Sequence, residues 1–274
     1  MDQTAAGRPR KVRVHHLAQA KADGTKLTML TAYDAVTARI LDAAGTDMLL
    51  VGDSVGNTMH GRTTTLPVTL DEMVVAARAV VRGTQRALVV ADLPFGTYEA
   101  GPTQALASAV RLMKEAQVEA VKLEGGQRVV PQVRALTDAG IPVVGHLGYT
   151  PQSEHLLGGP RVQGRGESSA ERLLVDAQAL ADAGVVAIVL EMVPAPVAAM
   201  VTWRVNVPTI GIGAGPDCDG QVLVWVDMAG MTDWSPRFAR RFGEVGQALG
   251  EAARAYVAEV RGGTFPDDAH SFAQ

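Results

Sequence analysis

The sequence predicts one (β/α)8 barrel, and three observations predict it. Eight short apolar runs of strand length recur along the chain, at 27–32, 48–53, 87–92, 118–124, 141–146, 186–191, 208–212 and 222–226. Helical patterns separate most of them, so parallel strands joined by right-handed crossovers are expected. A unit of helix end, glycine, apolar run and polar residue returns in DAAGTDMLLVGDS (42–54), DAGIPVVGHLG (138–148) and ADAGVVAIVLEM (181–192). Eight such units in one chain of 274 residues imply closure, since barrels of this kind run from about 200 to more than 400 residues. The competing arrangement is an open, doubly wound sheet.

Within each unit the local chemistry agrees with the assignment. Gly45, Gly140 and Gly184 stand where a helix needs a left-handed residue to stop. The runs that follow are rich in β-branched residues, as strands covered on both faces are. Thr69–Glu72 and Ser168–Glu171 read as capping boxes that open the next helices. A long helical run at 244–261, within a segment from Ser235 onward, is expected to cap the barrel. Residues 1–11 are expected to be disordered and 12–274 to form one domain.

Composition narrows the function. Hydrophobic residues are 47% and aromatics only 4%, so the core is built from Ala, Val, Leu and Ile. A net charge of −4 gives no electrostatic basis for nucleic-acid binding. The one cysteine, Cys218, excludes an intrachain disulfide and a multi-cysteine metal site. The basic start MDQTAAGRPRKVRVHH has no apolar stretch after it, and no run approaches the roughly 18 apolar residues of a membrane span. A cytoplasmic enzyme is expected.

Active sites of such barrels lie at the C-terminal ends of the strands. There the runs end in Asp53-Ser54, Asp92, Lys122-Leu123-Glu124, His146 and Glu191. Strand alternation puts Lys122 and Glu124 on one face, with Val121 and Leu123 on the other. If that face is interior, four acids, a lysine and a histidine converge on one mouth. A single terminal acid is often only an N-cap for the next helix. Several together repel one another and call for a cation, and oxygen ligands favour a hard ion such as Mg2+. Lys122 has three readings: an ion pair with Glu124, a Schiff-base nucleophile, or a charge clamp on a substrate carboxylate. Adjacent acids keep the amine charged and hence a poor nucleophile, so the clamp fits better. His146 alone decides nothing.

The connections 54–68 and 147–167 exceed the usual two to six residues, and both leave the face that holds the acids. The second, with its glycines and with Arg161 and Arg165, has the composition of a mobile lid. The turn GIGAGPDCDG (211–220) has no further signature that would make it a phosphate site.

The chain also resembles the ketopantoate hydroxymethyltransferase (3-methyl-2-oxobutanoate hydroxymethyltransferase) family. The matching stretches are KLTMLTAYD (26–34), LLVGDSVGN (49–57), ADLPFGTYE (91–99), AVKLEGG (120–126), GHLGYTPQS (145–153), GGPRVQGR (158–165), IGIGAGPDCDGQVLVW (210–225) and GGTFPDDAHSF (262–272). They run in collinear order from about residue 12 to 272. The resemblance implies metal ligands at Asp53 and Asp92, with Glu124 as a further ligand or water-mediated partner. It implies 2-oxo acid contacts at Asp53, Ser54, Asp92 and Lys122, and a proton acceptor at Glu191. It further implies one Mg2+ per subunit, 5,10-methylenetetrahydrofolate as cosubstrate, and a homo-oligomer, commonly of ten subunits. The implied reaction passes through a metal-stabilised enolate to ketopantoate, for pantothenate biosynthesis. Pro160, Val226 and the pair Glu154-His155 depart from the family's pattern, which leaves lid detail and folate contacts open.

Two other readings compete. A Mg-dependent lyase or mutase of the isocitrate lyase and phosphoenolpyruvate mutase type would share the barrel and the ion. Isocitrate-lyase-like members carry a reactive lid cysteine, whereas Cys218 follows the seventh run. A catalytically dead binding barrel would be expected to have lost Asp53, Asp92 or Glu191, and all three are present.

Overall fold

The computed structural model describes residues 10–272. Eight parallel strands form a closed barrel in sequence order: β1 (Leu27–Thr31), β2 (Met48–Val51), β3 (Leu88–Asp92), β4 (Ala120–Glu124), β5 (Val143–Gly148), β6 (Ala187–Glu191), β7 (Thr209–Ile212) and β8 (Gly220–Leu223). Closure is made by β1 against β8, with Leu27 opposite Gly220 and Met29 opposite Val222. The chain divides into two compact units, 1–224 and 225–274, and the first contains all eight strands.

Every residue of β2, β3 and β4 is buried. That is the signature of parallel strands with helices on one side and a filled interior on the other. Strands β1 and β8 instead alternate, with Thr28 and Gln221 exposed and opposite each other. Between β7 and β8 only 213–219 intervene, with no helix, so the sequence repeat is incomplete there. The eighth strand also lies earlier than the predicted 222–226, because a short helix, Trp225–Met228, begins where that run was expected to continue.

The helix boundaries follow from particular side chains. Asp34 caps Ala35–Ala43 by accepting from the Val36 and Thr37 amides. Thr69 and Glu72 form the expected reciprocal box at the start of Leu70–Gly83. The box expected at Ser168–Glu171 does not form. Helix Glu167–Asp182 starts earlier, from Gly166 at φ 79, which leaves Ser168 inside the first turn. Gly45, Gly140 and Gly184 are left-handed at φ 91, 79 and 92, as expected.

Asp42 locks two elements together. It is buried, and it accepts from the backbone amides of Gln85, Arg86 and Ala87 at the entry to β3. The expected disorder of residues 1–11 does not extend to Lys11, whose amine pairs with Glu119 at 2.7 Å and donates to the Ala87 carbonyl. Residues 1–9 lie outside the described residues.

The unit 225–274 carries one long helix, Val245–Gly262, whose side chains are exposed, including Leu249, Tyr256 and Val260. Arg241 organises the turn before that helix by pairing with Glu244 and donating to the Thr232 carbonyl.

The long connection after β2 is tied down rather than loose. Arg62 forms a forked pair with Glu72 and also donates to the Pro67 carbonyl, so 54–68 is stapled to helix Leu70–Gly83. Arg62, with the Thr69 amide, holds the Glu72 carboxyl down at about 2. The native carboxyl thus ionises below its unfolded value of about 4.3. Its stabilising contribution is complete above that value and is lost as pH falls through the window down to about 2. After discounting for solvent screening it is about 1 kcal/mol. A Glu72→Gln variant keeps a capping acceptor and removes the charge. Urea unfolding should show it less stable than the parent by about that amount at pH 7, with the gap closing toward pH 2. A gap independent of pH would mean that the charge contributes nothing.

Candidate active site

The C-terminal end of the barrel gathers the polar residues that the sequence singled out. In-register pairing explains how. Asp92 of β3 stands opposite Lys122 of β4, Glu124 of β4 opposite His146 of β5, and Gly148 of β5 opposite Glu191 of β6. Partners in parallel register project to the same side, so the interior side chains of adjacent strands meet.

The contacts form an unbroken chain over five strand ends. The Asp53 amide, just beyond β2, donates to Asp92 Oδ2 at 3.0 Å. Asp92 Oδ1 pairs with Lys122 Nζ at 2.9 Å. Lys122 Nζ lies 3.3 Å from His146 Nδ1, and that nitrogen lies 3.2 Å from Glu124 Oε1. His146 Nε2 faces Glu191 Oε2 at 3.3 Å. Asp53, Asp92, Lys122, Glu124 and His146 are all at most 4% exposed, whereas the Glu191 side chain retains 17%. Glu191 is therefore the acid most open to a substrate.

Burial and crowding set the charge states. Burial, followed by the repulsion of Asp92 and Glu124, pushes the Asp53 carboxyl up to about 7. Burial likewise raises Asp92, against the pull of Lys122. For Glu124, burial is outweighed by His146, Lys122 and the Gln152 amide, so its carboxyl is lowered. Burial and Lys122 disfavour a charged His146, but Glu124 and Glu191 prevail and hold the imidazole up at about 9. Lys122 is also raised, because Asp92, Glu124 and Asp53 outweigh its burial. A lysine held this firmly protonated is a poor nucleophile and a good electrostatic clamp. Its ion pair is with Asp92, not with Glu124 as one sequence reading had it.

Ser54 is half-buried and shares a hydrogen bond of 2.8 Å with Tyr33 Oη. Asp53 is not a helix cap, because its Oδ2 accepts from the Gln152 side chain at 2.9 Å. An added side chain would crowd two glycines here, severely at Gly148, where the obstacle is backbone. A Cβ on Gly52 would lie 2.7 Å from Ser54 Oγ, and one on Gly148, at φ 91, would lie 2.1 Å from the Glu191 carbonyl.

Three buried residues that sequence reasoning missed or left undecided complete the site. His146 is the hinge of the ion chain. Gln152 contacts Asp53 and Glu124, and Tyr98 bonds both Gln152 and the Glu124 backbone. Gln152 stands inside a quoted motif, but nothing in its spacing marked it. The signal available was an uncharged polar residue just past the strand that carries His146. The root of the 147–167 connection is accordingly fixed, with strand β5 running to Gly148 and a 3-10 turn at Pro151–Ser153. Beyond it, His155, Leu156, Gly158, Pro160, Arg161, Arg165 and Gly166 are exposed.

Among the described residues no three Asp, Glu, His or Cys side chains form a ready-made metal cage. Mg2+ does not require one, since it keeps several waters and uses one or two protein carboxylates beside substrate oxygens. Gln152 bonds Asp53 at Oδ2, and Asp92 Oδ1 is buried with no hydrogen-bond partner among the described residues beyond its ion pair with Lys122. Asp53 and Asp92 are the two acids that burial leaves under-compensated. These residues fit a hard divalent ion.

Comparison with known proteins agrees with the sequence resemblance. The family model described as ketopantoate hydroxymethyltransferase matches residues 11–268. A curated protein of Mycobacterium tuberculosis (strain ATCC 25618 / H37Rv), named 3-methyl-2-oxobutanoate hydroxymethyltransferase, is 57% identical over 96% of this chain and 93% of its own. One of the same name from Rhodococcus jostii (strain RHA1) is 58% identical over 96% and 91%. Among solved structures, a phosphonopyruvate hydrolase in complex with oxalate and Mg++ aligns with a TM-score of 0.62 at 14% identity, over 95% of this chain and 91% of that one. A 2,3-dimethylmalate lyase of the PEP mutase/isocitrate lyase superfamily aligns with a TM-score of 0.58 at 19% identity, over 95% and 92%. At such identities these two establish the barrel fold alone. With a matching model along nearly its whole length and relatives above half identity, this chain belongs to the ketopantoate hydroxymethyltransferase family.

Proposed function

We propose that this chain transfers a hydroxymethyl group from 5,10-methylenetetrahydrofolate to 3-methyl-2-oxobutanoate, giving ketopantoate. The observation that carries the reading is the continuous chain of charges from Asp53 to Glu191, set beside the names of the relatives. Substrate C3 loses a proton to Glu191, and the resulting carbanion forms the new C–C bond with the donor's one-carbon unit. Water supplies the hydroxyl oxygen, and tetrahydrofolate departs.

Glu191 suits the role of base because it is the most accessible of the four acids and ends β6, opposite β2 in the eight-strand ring. That leaves the pocket's width for substrate between it and Asp53. Charged His146 holds Glu191 by ion pairing across 3.3 Å at its Nε2. Lys122 holds the substrate carboxylate by charge, and Ser54, oriented by Tyr33, hydrogen-bonds it. One Mg2+ per subunit would be held by Asp53 and Asp92, with Glu124 as a further or water-mediated partner. When bound, it supplies Lewis-acid polarisation of the 2-oxo acid. As part of the same reading the chain works in the cytoplasm as a homo-oligomer, of ten subunits as the resemblance implies. No helix among the described residues is long and apolar enough to cross a membrane.

Three measurements test this. Asp92→Asn should weaken Mg2+ binding sharply in calorimetric titration while the metal-free protein unfolds at nearly the parent temperature. Equal affinity in both proteins would remove Asp92 from the ligand set. Glu191→Gln should slow deuterium exchange at C3 of 3-methyl-2-oxobutanoate, without folate, by about 10²–10⁴-fold, with metal binding intact. Parent-like exchange would exclude Glu191 as the base, and borohydride trapping of substrate on Lys122 would replace the clamp with a Schiff base. Amide exchange over 154–166 should slow when metal and 2-oxo acid are added, as a closing lid requires, while 148–153 is already slow without them. No change over 154–166 would make that segment an ordinary surface loop.

A further inference from the structure

Gln152 is 5% exposed and bonds the walls of the site through its side-chain amide and its backbone N–H. Its side-chain Nε2 donates to Asp53 Oδ2 at 2.9 Å and to the Leu93 carbonyl at 3.0 Å. Its Oε1 accepts from Tyr98 Oη. Its backbone amide donates to Glu124 Oε2 at 3.0 Å. The amide cannot be turned over, because Asp53 Oδ2 and the Leu93 carbonyl are both acceptors and only the NH2 end serves them. A glutamate here would set a carboxylate against Asp53, and a shorter asparagine would not span the same partners. One residue thus grips acids from two separate strand ends, from a turn that belongs to neither.

The consequence for each acid differs. On Asp53 the hydrogen bond from Gln152 falls on Oδ2, which holds the carboxylate in one orientation. Glu124 receives the Gln152 amide on Oε2 and faces His146 at Oε1. We propose that Gln152 is a positioning residue whose side chain fixes the orientation of the Asp53 carboxylate toward the divalent ion. The inference rests on the metal reading of Asp53 and Asp92. Groups hydrogen-bonded to metal ligands typically carry 10–100-fold of the affinity.

The test uses metal-free protein and Mn2+ as the probe, with free Mn2+ read by electron paramagnetic resonance. Gln152→Met has similar length and no hydrogen-bonding groups, and it should raise the Mn2+ dissociation constant by about 10–100-fold. Tyr98→Phe removes a hydroxyl that bonds the Gln152 carbonyl and the Glu124 backbone but no carboxylate side chain. It should weaken Mn2+ in the same direction by a smaller factor. Combined with Gln152→Met it should add little more, because the two act through one contact chain. If Gln152→Met does not fold, Tyr98→Phe alone carries the test, and parent-like Mn2+ affinity in it overturns the proposal. Parent-like affinity in folded Gln152→Met, or fully additive losses in the double variant, does the same. Asp92→Asn is run beside them. Weak Mn2+ binding there with a parent-like Gln152→Met sinks the positioning role alone, whereas parent-like binding in Asp92→Asn sinks the metal reading and this inference with it.

Discussion

The structure depends on one electrostatic arrangement: four carboxylates gathered at the end of a barrel and matched by only two cations. Asp53, Asp92 and Glu124 are buried and Glu191 is nearly so, with Lys122 and a protonated His146 between them. Ionised together, the acids exceed the cations by two charges, and burial makes an uncompensated charge costly. The rise of Asp53 and Asp92 above the usual carboxylate range is the same deficit expressed as proton affinity. A bound divalent ion has the charge that closes it. The ion pairs determine on which side of the site that charge deficit falls. His146 lies between Glu124 and Glu191, and Lys122 pairs with Asp92, yet Asp53 and Asp92 both stay raised, so the deficit falls on the β2 and β3 side.

The barrel makes this arrangement mechanically stable. Each participant ends a strand that is hydrogen-bonded to its neighbour, so spacing between charges is set by backbone register rather than by flexible side chains. Asp92 and Lys122 are register partners, as are Glu124 and His146, and both pairs are in contact. A shift of one residue in any of these strands would turn its polar residues into the apolar layer beneath the helices. The buried strands below the site therefore do more than form a core. They hold the register on which the ion chain rests.

Much of this was legible in the sequence because strand and barrel physics act locally. The eight runs appear in order, and the acids end the runs where a barrel mouth requires them. What escaped the reading depends on contacts distant in sequence. Gln152 lies 99 residues from Asp53, and only the folded chain brings them together. The Ser168 capping box failed because Gly166 starts the helix earlier, a competition between two acceptable starts that composition does not rank. The eighth strand shifted because its apolar run continues into a helix, and an apolar stretch alone carries no period to separate the two. Lys11 is ordered by partners on other elements, Glu119 and Ala87, which no local rule would have supplied.

The connection after β5 shows how one loop can serve both rigidity and access. Its root is part of the charge machinery. Moving Gln152 would break contacts to Asp53, Glu124, Leu93 and Tyr98 together and leave buried polar groups without partners. Its outer portion is held near its end, where the Gln163 amide bonds the Met192 carbonyl and Gly164 is buried, while Leu156 is 86% exposed and Gly158 and Gly159 both take left-handed conformations. Any closure over substrate must therefore hinge beyond Ser153 and leave the acids in place. The loop is thus divided, with its root bonded to Asp53 and Glu124 and with Arg161 and Arg165 exposed on its outer part.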